Sequence, residues 1–219
     1  MRITFEKSIN QYIKHCKNTN WVYGETYKFE FANYIYHNVD WVTKSDKEIL
    51  GILKHSQSIR FTSGGKTVQF IRRGAREKPS EFIKLKDVEL FKSLQNKEVK
   101  DVDWSERSMS YPVLSAWLAS LFPEKIYPVP KKGFQQPIHY LFGTSQDHFP
   151  QSGLNYILKC QPYFSKTEEI LKSFPIEELH LEEWNKYYRS HPELKIPIKE
   201  QLEEIDWVWL AQDFLFFIY

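Results

Sequence analysis

Cysteine is nearly missing: Cys16 and Cys160 are the only two in 219 residues. They are too few and too far apart for a disulfide scaffold or a zinc site of the CxxC type, and they suit a reducing compartment. Glycine is scarce as well, with 8 in the chain, which excludes collagen-like repeats. No uninterrupted apolar run reaches the roughly 18 residues a bilayer crossing needs. The opening segment carries Arg2, Glu6, Lys7, Lys14 and Lys17 and so lacks the apolar stretch of a secretion signal. A soluble, cytoplasmic protein is expected. Net charge is also nearly absent, 30 Lys+Arg against 28 Asp+Glu, so the chain as a whole is neither a polyanion nor a polycation.

Aromatic residues, in contrast, are plentiful: 16 Phe, 13 Tyr and 7 Trp. Despite a mean hydropathy of -0.54, these supply bulky material for a substantial core, as one large or two small domains.

Helical spacing dominates the first 55 residues. Phe5, Ile9, Tyr12, Ile13 and Cys16 fall on one face at intervals of three and four. The stretch from Tyr27 to Val42 reads as a second helix. Ser45 followed by Glu48 has the capping-box pattern ahead of Ile49, Leu50 and Leu53, which predicts a third. The period then changes. Residues 59–63 and 66–70 alternate on either side of Gly64-Gly65, the pattern of a tight β-hairpin, and Phe82 to Lys86 could add a third strand. Asp87 to Leu94 reads as a short helix, followed by a polar connector, Gln95 to Arg107. Ser110 and Pro112 start a helix over 112–122 that Pro123 ends. Pro128, Pro130 and Pro137 make Ile126 to Phe149 loop and short strand, and Ser165 with Glu168 repeats the capping-box pattern. The expected class is therefore α+β, rich in helix, with a small antiparallel hairpin. The regions are 1–95 with the hairpin and 108–219, as two units or one compact domain.

The terminal stretch, helical over 198–218, is apolar on every side from Trp207 to Leu210 and again from Phe214 to Tyr219. Such a surface needs a cover, with Trp207, Leu210, Phe214 and Phe217 buried. Either it plugs this protein's own core, or a further domain follows it.

Charge is unevenly spread. Residues 60–86 hold eight cations (60, 66, 72, 73, 76, 78, 84, 86) and two acids (77, 81), a net of +6; residues 165–206 hold eleven acids and six cations, a net of -5. Arginine on a two-stranded ribbon can reach phosphates and base edges. Arg60, Lys66, Arg72, Arg73, Arg76 and Lys78 are accordingly the candidate DNA-contacting residues, with Lys131 and Lys132 as a second basic loop between Tyr127 and Phe134. The ordinary alternative is a solvated charged face.

Catalytic patterns are wanting. Ser63-Gly64-Gly65-Lys66-Thr67 ends like a P-loop, but Arg60 stands where the first glycine belongs, and an alternating run follows instead of a helix. No HExxH or GxSxG occurs, the seven histidines are scattered, and Glu81 with Lys84 has the wrong offset for a nuclease. No catalytic residue, metal or cofactor is expected.

Two segments resemble a known family. Tyr111 to Leu118, running through Phe122-Pro123-Glu124-Lys125-Ile126-Tyr127-Pro128-Val129-Pro130, looks like the helix, Pro-Glu-Lys and strand found in N-terminal regions of McrB-type restriction motors. Asp206 to Leu215 is similar to the segment that precedes the motor domain in such proteins. The resemblance covers about thirty-five residues and implies a module that reads target DNA, often modified DNA, ahead of an AAA+ GTPase that recruits a McrC-like nuclease subunit. The chain departs from the pattern in having neither Walker motif nor nuclease motif. Two functions follow: a non-catalytic module gripping duplex DNA for a phage-defence system, or an interaction module docking protein partners through aromatic and acidic helical surfaces.

Overall fold

The computed structural model describes residues 2–58, 83–129, 132–145, 148–150, 153–190 and 204–219. Among these the regular structure is helical throughout: α1 (Arg2–Asn18), α2 (Trp21–Asn38), α3 (Asp46–Ser58), α4 (Leu85–Ser93), α5 (Tyr111–Leu121), α6 (Gln135–Phe142), α7 (Leu154–Leu171), α8 (Ile176–Ser190) and α9 (Glu204–Ile218), with 3-10 turns at Val99–Asp101 and Lys132–Phe134. The centre of the fold is α9, which packs against α1, α2, α5, α6 and α7. Every residue from Trp207 to Leu215 is buried, as a helix apolar all round requires. Its cover is this protein's own core. Trp207, Leu210 and Phe214 are buried as expected, and Phe217 is half-buried.

Around that hub, α2 packs on α5, α8 and α3, and α3 packs on α4. The α1 stripe holds as read: Phe5, Ile9, Tyr12 and Cys16 are buried while Lys7, Lys14 and Lys17 are exposed. The capping box at α3 is present, with the Ser45 N–H donating to Glu48 Oε2 at 2.8 Å and the Glu48 N–H to Ser45 Oγ at 3.4 Å. The connector from Gln95 to Arg107 joins the core: Val99, Val102 and Trp104 are buried in the same apolar cluster as α1, α2 and α9, and the Trp104 indole donates to the Val99 carbonyl at 2.8 Å.

The expected α+β class is corrected to all-α: no strand occurs among the described residues. The hairpin expected over 59–71 lies outside them. The possible third strand at 82–86 gives way to helix because the Lys84 N–H is capped by Asp87 Oδ2 at 2.8 Å, which starts α4 at Leu85. Ile126 to Val129 has no regular structure, and side chains take two of its donors. The Tyr127 N–H goes to Gln161 Oε1 at 2.5 Å and the Val129 N–H to Ser115 Oγ at 2.9 Å, so α7 and α5 stand where a neighbouring strand would.

Two further readings are overturned. Within 126–149, α6 forms with Pro137 in its first turn, where a backbone N–H would have no helical partner and its loss costs little. Ser165 and Glu168 do not begin a helix either. Both lie inside α7, which starts after Gly153, a residue at φ +88° that favours glycine.

Candidate functional site

Of the candidate DNA-contacting residues, Arg60, Lys66, Arg72, Arg73, Arg76, Lys78 and Lys131 lie outside the described residues. Lys132 opens the 3-10 turn before α6. The next residue is Gly133, where an added Cβ would collide with the Tyr219 ring, so this turn adjoins the end of α9. Its flanking aromatics serve packing: Phe134 is buried, and the half-buried Tyr127 donates to Glu168 Oε2 at 2.6 Å.

The structure does describe the base that carries the main basic segment. Lys92 near the end of α4 pairs with Asp46 at the start of α3 at 2.8 Å, so the two packed helices run in opposite directions. Their other ends, Ser58 and Leu85, bracket the segment rich in arginine. Lys84 and Lys86, its last two cations, are exposed.

The densest polar chemistry is inside. Asp213 of α9, fully buried, accepts from the Tyr12 hydroxyl at 2.7 Å and the Trp21 indole at 2.9 Å on Oδ2, and from Lys28 Nζ at 3.3 Å on Oδ1. Lys28 also pairs with Glu25 and lies 4.9 Å from the Phe216 ring centroid. Because Tyr12 gives its single proton to Asp213, the ring of His180 must donate to the phenol oxygen from Nε2, across 2.9 Å. Its Nδ1 then faces no hydrogen-bond partner among the described residues.

Burial lowers the pKa of His180 to about 4, with Asp213 and then Glu183 pulling the other way, so it is neutral at pH 7. Burial opposes the charge on Lys28 too, but Asp213 and then Glu25 outweigh it and hold the ammonium ionised, well above its usual pKa. Tyr12 is pushed up by burial and by Asp213. Tyr12, His180 and Asp213 have no exposed surface, so the network joins α1, α2, α8 and α9 instead of meeting a substrate. The thiols of Cys16 and Cys160 are likewise buried and raised to about 12, chiefly by burial, which keeps them protonated and unreactive.

One open cavity collects different residues. About 380 Å³ in volume, it lies between the starts of α5 and α7, lined by Arg107, Ser110, Tyr111, Pro112, Gly153, Tyr156 and Ile157. The Arg107 guanidinium lies 3.6 Å above the Tyr111 ring and donates from Nη1 to the Trp104 carbonyl at 2.8 Å.

Sequence reasoning missed both groups. Asp213 stands in a run read for its aromatics, with partners far away in the chain, and Arg107 stands at the end of a polar connector, with the other wall of its cavity on α7. A single acid within the apolar stretch from Trp207 to Ile218 was the one available sign that Asp213 needed a buried partner. Among the described residues, no three His, Cys, Asp or Glu side chains converge as a metal site, and no helix is long and apolar enough to cross a membrane. No known protein family, curated protein or solved structure matches the chain.

Proposed function

We propose that this protein is a non-catalytic DNA-binding module that grips duplex DNA through the basic segment between α3 and α4. The observation that carries this reading is the charge separation: a net of +6 over residues 60–86 in a chain of net charge +2. That segment is inserted between two helices anchored on the core and braced by the Asp46–Lys92 pair. Phosphates recruit arginine through bidentate hydrogen bonds, and a rigid base limits the entropy lost on binding. The finer reading places the module in a McrB-like restriction system, with an AAA+ GTPase and a McrC-like nuclease subunit as partners and modified DNA as a target. It rests on the two short resemblances, of which 206–215 forms the core helix α9.

Fluorescence anisotropy with a labelled duplex over a salt series is the test. Affinity is expected to fall with salt at a slope of about -0.9 per phosphate contacted. Changing Arg72, Arg73 and Arg76 together to alanine is expected to weaken binding at least about tenfold, with the melting temperature nearly unchanged. A wild-type protein that ignores duplex DNA at low salt, or a triple variant that binds at full strength, would overturn the proposal in favour of a protein-docking module.

A further inference from the structure

We propose that the cavity between the starts of α5 and α7 binds a small organic phosphate of nucleoside monophosphate size, with its phosphoryl oxygens on Arg107 and its body against Tyr111, Tyr156 and Ile157. No described residue of the basic segment lines this cavity, and the proposal does not depend on the DNA reading.

The argument begins with the arginine. A guanidinium carries five N–H donors. On Arg107, Nη1 is given to the Trp104 carbonyl, whereas Nε is buried without an acceptor. No carboxylate pairs with Arg107 among the described residues, and none lines the cavity. Stacking on Tyr111 at 3.6 Å fixes the plane of the fork before any ligand arrives. A cation that is partly withdrawn from water, oriented and unpaired suits an oxyanion.

The walls then select the oxyanion. Ser110 and Gly153, the residues preceding α5 and α7, both line the cavity, and neither caps its helix with a side chain. Two positive helix ends therefore add to the field of the guanidinium. A tetrahedral phosphate can address the arginine fork and a helix end together, whereas the two coplanar oxygens of a carboxylate address one direction. The remaining lining, Tyr111, Pro112, Tyr156 and Ile157, is apolar in body and suits a flat organic moiety. A volume of about 380 Å³ lies in the lower part of the range for small-molecule sites. Bulk phosphate alone would leave most of it unfilled.

Isothermal titration of the full chain with AMP, adenosine, inorganic phosphate and sodium acetate tests this. AMP is expected to bind with a Kd of about 1 mM or tighter, inorganic phosphate to compete with it, and adenosine and acetate to bind at least about tenfold more weakly. Arg107→Gln, which keeps the stem and removes the fork, is expected to weaken AMP at least about tenfold without altering duplex binding. Near-ultraviolet circular dichroism reports whether that variant stays folded. Tyr111→Leu, which removes the stack and keeps Arg107, is expected to weaken AMP less. Adenosine binding as well as AMP, no response to AMP or phosphate at about 10 mM, or unchanged AMP binding by a folded Arg107→Gln would each overturn the proposal. So would loss of duplex binding in Arg107→Gln without any AMP binding by the wild type, because the cavity would then be receiving the DNA backbone.

Discussion

Asp213 concentrates more consequence than any other single side chain in the structure, because three donors from two other helices converge on its two oxygens. Removing it leaves the Lys28 ammonium with Glu25 alone in a buried site. Breaking a buried pair from one side typically costs about 3–5 kcal/mol, and Asp213→Ala is expected to lose that much in urea denaturation. The double change of Lys28→Met with Asp213→Leu removes both charges and is expected to recover most of the loss. His180 sets the acid limit of the same network. Its folded pKa, about 4, lies below the ordinary value of 6.5, so the unfolded chain takes up a proton first. The contribution is complete above about pH 6.5 and is lost as pH falls from there toward 4, on the order of 3 kcal/mol in all. Denaturation at a series of pH values is expected to show that slope in the wild type and a shallower one in His180→Phe.

Helices were legible wherever local chemistry alone determined them. The α1 stripe, the Ser45–Glu48 box and the Pro112 start all act through neighbours within one or two turns, and all three stand in the structure. Replacing Ser45 with alanine is expected to cost about 1 kcal/mol by removing that cap, readable as a small drop in melting temperature. Elements whose state depends on distant partners were not legible. Residues 126–129 have the composition of a strand, yet Gln161 and Ser115 take their backbone donors. The Ser165–Glu168 pattern is equally a cap and a pair of exposed or half-buried polar positions on a continuing helix. There Glu168 accepts from Tyr127 and pairs with Lys172 at 2.5 Å. The candidate DNA-contacting residues were read from charge carried on an expected hairpin, and charge density itself says nothing of backbone conformation. Arg107 was invisible because the other wall of its cavity, Gly153, Tyr156 and Ile157, lies more than forty residues away.

At the scale of the whole molecule, the terminal helix is the piece on which the others are assembled. Trp209, Leu210, Phe214 and Leu215 have no exposed surface and Val208 almost none, and each such side chain contributes roughly 1.5–3 kcal/mol by leaving water. Their sum is comparable to the 5–15 kcal/mol by which a domain of ordinary stability (about that range) is held together. Deleting residues 207–219 would also remove Asp213, leaving Lys28, Tyr12 and Trp21 facing a vacated centre between α1, α2 and α8. The truncated chain is therefore expected to be insoluble, or compact without fixed packing, with dye-accessible apolar surface and lost near-ultraviolet dichroism. A shorter deletion separates this role from a mere tail: residues 216–218 are half-buried and Tyr219 is exposed, so removing 216–219 should lower the melting temperature while leaving the fold cooperative. A 207–219 deletion that stays soluble and melts at the wild-type temperature would show that the rest of the fold closes its core without α9.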